Sequence, residues 1–178
     1  MRVSSRPQPA RSLVTRMDVT ICTIGFAGKT AEEFFALLAE AGVQRLIDVR
    51  ENRVGQLSGF AKFPDLSFFL DKIGHIPYSY EPRFAPSPEI REAYRSTKDW
   101  PQYQASFLQL MRDRDVAHSL ESFDPKETAA LLCSEPGPEK CHRRLVAELV
   151  AEHIRGQGHV VHIRHLITEK AKRPRRKQ

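Results

Sequence analysis

The sequence predicts an α/β fold with a Rossmann-like, mainly parallel five-stranded sheet and helices on both faces. Short apolar segments alternate with segments of helical spacing, and glycines or prolines separate most of them. A content of 40% hydrophobic and 28% charged residues is ordinary for a globular domain. Strands that alternate with helices need right-handed crossovers, which make neighbouring strands parallel. The predicted order is β-α-β-α-β-α-α-β-α-β.

The first half of the chain contains three predicted strands and two predicted helices. Thr30 is a suitable N-cap for the first helix, since two acidic residues follow it in the first turn. Pro77 places the third strand at an edge, or itself at the start of the strand, because proline cannot donate a hydrogen bond to a neighbouring strand. The strands are predicted at residues 19–24, 45–49 and 75–80, and the helices at residues 30–41 and 64–73.

The second half adds three helices and two strands. Ser87-Pro88 and Trp100-Pro101 each place a proline at a helix start, where its missing N–H is not needed. The apolar segment 128–133 is the fourth strand and the segment 159–166 the fifth. A helix buried through Leu145, Val146, Leu149 and Val150 is predicted between them, at residues 140–154.

The basic charge lies at the two ends of the chain. The sequence carries 28 Lys and Arg against 22 Asp and Glu, a net charge of +6. Residues 1–16 contain four arginines and residues 170–178 six Lys or Arg, which leaves 18 basic and 22 acidic residues in 17–169. We expect one α/β domain over residues 17–169, between two flexible basic tails that folding does not need. The tails either keep the protein in solution or make salt-sensitive contacts with polyanions.

Nothing in the sequence indicates export or a membrane. No apolar run approaches the ~18 residues of a membrane-spanning helix, and the N-terminus lacks the apolar centre of a signal peptide. Cys22, Cys133 and Cys141 cannot all pair with one another, and a core of this size needs no disulfides. We expect a soluble, cytoplasmic protein with reduced thiols.

Ligands bind to parallel sheets at the edge where the strands have their carboxyl ends. Four segments should meet at that edge: residues 25–29, the loop from Arg50, residues 80–83 and the loop from Cys133. They carry most of the chemically reactive side chains. The sequence therefore predicts the functional site at this edge.

The segment Leu131–Arg143 (LLCSEPGPEKCHR) concentrates the reactive groups. An apolar strand ends at Cys133, a proline-containing loop follows, and a helix opens with Cys141, His142 and Arg143. The free N–H groups and the dipole of a helix N-terminus favour thiolates and bind anions. Because Arg143 could clamp such an anion, we expect Arg143→Ala to abolish anion binding and to leave the fold nearly intact.

This segment, together with three others, resembles the domain of unknown function family 488 (DUF488). The resemblance extends from about residue 19 to about residue 166 and implies the fold and the positions of the motifs. The activity of that family is not established, so the resemblance implies no reaction. The matching motifs are TIGFAGKT at 23–30, DVR at 48–50, GFAK at 59–62, LCSE at 132–135 with Pro138, and CHR at 141–143.

The sequence departs from the family pattern after the DVR motif. Members usually have a proline followed by Ser-Arg there, whereas this chain has Arg53-Val-Gly-Gln56. Gln56 thus replaces an arginine that would suit an anionic substrate. Arg53 is a neighbouring residue that could take over that role.

Several of these residues fit two roles. Cys133 is either a nucleophile or a buried cysteine that ends a core strand. Rhodanese-like sulfurtransferase chemistry at Cys133 needs a tighter loop, since Arg143 follows ten positions later. Asp48 is either a general base or the ion-pair partner of Arg50 or Arg143. His142 is either a general acid or base or a core-facing residue.

Glu135 is the best single candidate for acid–base chemistry, because an acidic residue between a thiol and two prolines has little packing purpose. Cys133, Cys141 and His142 could instead bind zinc with Cys22 as the fourth ligand. Their C-x7-C-H spacing is unusual for structural zinc. We therefore assign no metal, and no cofactor motif is present.

Taken together, these residues predict an enzyme-like pocket for an anionic substrate that bears a phosphate or derives from a nucleotide or nucleic acid. An anionic small molecule or a nucleic acid is therefore the expected partner. The alternatives are a non-catalytic module that binds nucleic acid or protein, and sulfurtransferase chemistry at Cys133. The predicted catalytic residues are Cys133, Glu135, His142 and Asp48, and the predicted substrate-binding residues are Lys29, Arg50, Arg143 and Cys141.

Overall fold

The computed structural model describes residues 15–55 and 58–168, which contain a five-stranded sheet in the order β3-β2-β4-β1-β5. All neighbouring strands are parallel. The predicted α/β, Rossmann-like fold is therefore confirmed, and Pro77 precedes an edge strand as predicted. The strands are β1 (Asp18–Gly25), β2 (Arg45–Asp48), β3 (Tyr78–Tyr80), β4 (Ala129–Cys133) and β5 (Val160–Leu166).

Polar caps start three of the helices. Thr30 accepts a hydrogen bond from the Glu33 N–H, and the Glu33 carboxylate accepts one from the Thr30 N–H, which completes a capping box. Ser87 and Asp99 cap the next two long helices, each with a proline in the first turn. The helices are α1 (Ala31–Glu40), α2 (Asp65–Phe69), α3 (Pro88–Thr97), α4 (Trp100–Asp113), α5 (Ala117–Glu121) and α6 (His142–Gly156).

Two differences from the predicted elements stand out. The segment after α2 continues to Gly74 as a wider π-helical turn rather than as α-helix. The five-residue helix α5 was not predicted, because one turn carries too little periodic pattern to separate it from a loop.

The sheet separates two hydrophobic cores. Leu131 and Val146 belong to the core between the sheet and α4 and α6, whereas Leu132 and Phe34 belong to the core on the other face, beneath α1. Side chains alternate along a strand, so Cys133 faces the same side as Leu131. Helices therefore cover both faces, as the sequence predicts.

The predicted tails, except residues 15 and 16, lie outside the described residues, and so does Gln56. What the sequence predicts for them stays a prediction. No helix in the described part of the chain has the length and apolar character needed to cross a membrane.

Candidate functional site

The ends of the strands meet at one level of the sheet. Gly25 is the register partner of Cys133, and Asp48 is the partner of both Leu132 and Tyr80. The loops after β1, β2, β3 and β4 therefore leave from the same edge. This is the edge that the sequence predicts for the site.

The loop after β4 packs against β1 so closely that residue 25 has to be glycine. A Cβ atom on Gly25 would lie 1.7 Å from the Glu135 carbonyl oxygen and 3.1 Å from Nη1 of Arg143. The N–H groups of Phe26 and Ala27 donate to the carbonyls of Cys133 and Ser134, which extends the pairing beyond the strands. The start of the loop is thus fixed by backbone contacts.

Arg143 holds this loop from inside the protein. Its Nη1 donates to the Glu135 carbonyl oxygen at 2.7 Å and to Sγ of Cys141 at 3.2 Å, and its Nη2 donates to the Pro136 carbonyl oxygen at 3.5 Å. The residue is 0% exposed. The guanidinium points at backbone carbonyls and a thiol, so its position does not support the expectation that it clamps a ligand.

His142 connects the end of β4 with the end of β2. Its Nδ1 lies 3.7 Å from Sγ of Cys133, and its Nε2 lies 3.0 Å from the Val49 carbonyl oxygen. A carbonyl oxygen only accepts hydrogen bonds, so Nε2 carries a proton and Nδ1 is the nitrogen that exchanges a proton with the thiol. A nucleophile beside a base that a third group orients is the arrangement used in covalent catalysis.

The surroundings of Cys133 favour its thiolate. A hydrogen bond from the Cys141 thiol lowers the pKa of Cys133 well below its usual range, although burial opposes this, and the charge of His142 and the Glu135 N–H act in the same direction. Burial and then the neighbouring Cys133 raise the pKa of Cys141. Burial alone would lower the pKa of His142, but its charge interaction and hydrogen bond with Cys133 raise it. The site therefore favours a Cys133 thiolate beside a His142 imidazolium.

Asp48 and Arg50 form an ion pair beneath the site. The two carboxylate oxygens of Asp48 accept from Nε and Nη2 of Arg50 at 2.8 Å and 2.7 Å, and the second oxygen also accepts from the Tyr78 hydroxyl at 2.8 Å. Asp48 is 0% exposed. Its position supports the ion-pair role rather than the general base, because its oxygens are occupied and it is sealed from the solvent.

The same contacts affect Tyr78. Burial is the main reason that its pKa rises to about 12, with a further contribution from Asp48. Tyr78 therefore keeps its proton at neutral pH and stays a donor to Asp48. The remaining Nη1 of Arg50 donates to the Ala61 carbonyl oxygen at 3.0 Å, so Asp48 and the segment at Ala61 together hold this guanidinium in one place.

A cavity of about 420 Å³ opens above the thiols. This volume lies in the usual range for small-molecule sites, roughly 300–1,000 Å³. Five of the predicted residues line it: Arg50, Cys133, Glu135, Cys141 and His142.

The other three predicted residues are buried beside the cavity. Asp48 and Arg143 have the positions described above. Lys29 is 8% exposed, and burial and the charge of Arg143 lower its pKa. Their buried positions therefore do not favour the predicted contact with a ligand.

Sequence reasoning missed one wall of the cavity. Most of this wall comes from α3 and its flanks and from the first turn of α4, for which the sequence predicts helices but no role in the site. The available signal was the spacing of three basic residues, in which Arg95 and Lys98 follow Arg91 after four and seven positions. The missed lining residues are Asn52, Pro86, Arg91, Tyr94, Arg95, Lys98, Tyr103, Ser134 and Lys140.

The two thiols and the imidazole could also hold a metal ion. Their ligand atoms all lie within 4.8 Å of one another, and Cys133, Cys141 and His142 are buried. Cys22 does not belong to this group, because it lies in the core on the opposite face of the sheet. The suggested fourth ligand is therefore wrong.

Comparison with known proteins identifies a family and no individual relative. A family model described as "Domain of unknown function DUF488" matches residues 30–150, which is more than half of the 178 residues. The match includes β2, Cys133 and the start of α6. No curated protein and no solved structure matches the chain.

Proposed function

Because the chain belongs to the DUF488 family, whose function is unknown, its activity has to be inferred from its own site, and we propose that it is a thiol-dependent enzyme. In this proposal Cys133 attacks an anionic substrate that bears a phosphate or derives from a nucleotide. The observation that carries the proposal is the contact of Cys133 with His142 on the wall of the cavity.

The proposed reaction begins with the thiolate of Cys133. Its sulfur forms a bond to the electrophilic atom of the substrate while the bond to the leaving group breaks. The imidazolium of His142 gives the leaving group its Nδ1 proton, which leaves a covalent intermediate and a neutral imidazole. That imidazole then takes a proton from a water molecule, whose oxygen attacks the same substrate atom. The bond from this atom to sulfur breaks, which releases the product and restores the thiolate.

Glu135 contributes in two ways. Its backbone N–H stabilises the sulfur of Cys133. Its carboxylate is the only acidic group on the cavity wall among the described residues. We assign this carboxylate to proton exchange with the substrate or with the attacking water.

The positive wall suits an anion. Five cations line the cavity with that single carboxylate: Arg50, Arg91, Arg95, Lys98 and Lys140. A non-catalytic binding module would need the cations but not a thiol in contact with an oriented imidazole. For this reason the enzyme is the better-supported function.

The reactivity of the thiols tests the proposal directly. We expect iodoacetamide to label Cys133 with a rate that stays high below pH 8, because its pKa is lowered and an ordinary thiol has a pKa of about 8.5. The rate should fall only as the pH drops through the lowered pKa. Cys22 serves as the internal reference, since it is 0% exposed and its pKa is raised by burial. Mass spectrometry of the labelled peptides gives both rates.

The outcomes separate the alternatives. Labelling of Cys133 that rises only around pH 8.5 or above would contradict the activated thiolate. One zinc ion per chain in the purified protein would make the thiols ligands instead of nucleophiles. A gain of one sulfur atom on Cys133 after incubation with thiosulfate, absent in Cys133→Ser, would support the sulfurtransferase alternative.

A further inference from the structure

We propose that α3 is a recognition helix for a planar ring that carries a phosphate, as in a mononucleotide. This inference rests on the proposed function, because it names the ligand class of the same cavity. The helix and its C-cap contribute Arg91, Tyr94, Arg95 and Lys98 to the wall. None of the ten residues of α3 is fully buried.

The spacing of the residues within α3 places them on one face of the helix. Tyr94 and Arg95 follow Arg91 at i+3 and i+4, positions that share a helical face. Lys98 is the C-cap directly after the last turn and lines the same cavity. Two contacts hold this face over the cavity. Arg91 forms an ion pair with Glu51 in the loop after β2, and Tyr94 contacts the aromatic rings of Trp100 and Tyr103 at the start of α4.

The charge of the wall is opposite to that of the rest of the domain. Residues 17–169 contain 18 basic and 22 acidic residues. The cavity wall nevertheless collects five cations and one carboxylate. Such a concentration of positive charge attracts an anion to the cavity.

Internal partners neutralise only some of these cations. Arg50 is paired with Asp48, Arg91 with Glu51, and Arg95 with Glu92 at 3.2 Å. Within the described part of the chain, no carboxylate lies within ion-pair distance of Lys98 or Lys140.

These two lysines line the cavity from different elements. Lys98 follows the last turn of α3, and Lys140 precedes α6. A phosphate group carries one to two negative charges on several oxygens, so it can satisfy two ammonium groups that a single carboxylate cannot.

Tyr94 provides an aromatic surface for a ring on the cavity wall. The rings of Tyr94 and Tyr103 have centroids 5.1 Å apart, and Tyr103 stacks on Trp100 at 4.9 Å. Tyr103 is stacked with Trp100 and Phe107 and is only 8% exposed. It therefore supports the ring of Tyr94, which is partly exposed and supplies the face for a ligand. Rigid aromatic faces bind nucleobases by stacking at low cost in conformational entropy. With a volume of about 420 Å³, the cavity suits a single nucleotide unit.

Protection of Cys133 from iodoacetamide provides the test. We expect AMP to protect the thiol at lower concentration than inorganic phosphate or ribose 5-phosphate, and adenosine to protect least. Lys98→Gln and Arg95→Gln should each raise the AMP concentration for half-protection about tenfold, since each removes a charged hydrogen-bond donor. Lys72→Gln is the matched control, because Lys72 is exposed and pairs with Asp71 outside the cavity.

Three results would overturn the inference. The first is an absence of protection by AMP at millimolar concentration. The second is equal protection in Lys98→Gln and Lys72→Gln. The third is better protection by a single-stranded oligonucleotide than by AMP, which would point to a polymer. In each case a Cys133 that still reacts below pH 8 would leave the thiol-enzyme proposal intact, so the two failures are distinguishable.

Discussion

Replacing His142 with asparagine is expected to slow the alkylation of Cys133 at pH 7, by about threefold for each unit that the pKa of Cys133 then lies above 7. Asparagine cannot carry a charge, and its amide reaches only the position of Nδ1, so the hydrogen bond from Nε2 to the Val49 carbonyl is lost as well. The pKa of Cys133 would then rise, because His142 is one of the groups that lower it. Each unit by which the pKa of Cys133 rises above the working pH lowers the thiolate fraction tenfold, whereas the remaining thiolate becomes only about threefold more reactive. Loss of thiolate therefore outweighs the gain in nucleophilicity.

The pH profile distinguishes this effect from damage to the fold. In His142→Asn the labelling rate should recover at high pH, where the thiol ionises without help. His118→Asn is the control, because His118 is 90% exposed and remote from the thiols. An unchanged rate in a folded His142→Asn variant would show that the imidazole does not activate the sulfur.

Replacing Arg143 with methionine is expected to lower the free energy of unfolding by about 2–4 kcal/mol. Methionine keeps much of the apolar stem, but the carbonyl oxygens of Glu135 and Pro136 lose their donor. A buried polar group without a partner costs about 1–3 kcal/mol. Denaturant unfolding followed by circular dichroism measures the change.

Arg144→Met provides a matched control one position along the chain. Arg144 pairs with Glu148 near the surface, and such pairs contribute about 1 kcal/mol or less. A parent-like stability of Arg143→Met combined with a loss of AMP protection would contradict the loop-holding role and restore the ligand clamp that the sequence suggests.

The sequence predicts the fold because the strands and most helices are marked locally. Apolar β-branched segments, N-caps and prolines decide where β1, α1 and α3 begin. Because these strands pair in parallel, their last residues, Gly25, Asp48 and Cys133, lie at the same edge of the sheet. Local patterns were therefore sufficient for the architecture and for the position of the site.

The direction of individual side chains could not be predicted in the same way. Arg143 turns inward because the loop carbonyls accept from it, and those carbonyls are brought there by pairing between β1 and β4. The basic face of α3 reaches the site through the ion pair of Arg91 with Glu51 and the contacts of Tyr94 with α4. Both depend on tertiary packing between distant segments, which periodicity does not report.

The close approach at Gly25 has a consequence for how the protein tolerates change. The Glu135 N–H that supports the reacting sulfur belongs to the loop after β4. This loop can lie so close to β1 only because Gly25 has no side chain. Any larger residue at position 25 must push that loop outward. In a library of all single substitutions scored for Cys133 labelling, we expect Gly25 to be as intolerant as His142. Gly28, with no heavy atom within 4 Å of a Cβ there, should accept at least asparagine, which adopts positive φ readily. A functional survey would thus identify as essential a position that carries no functional group.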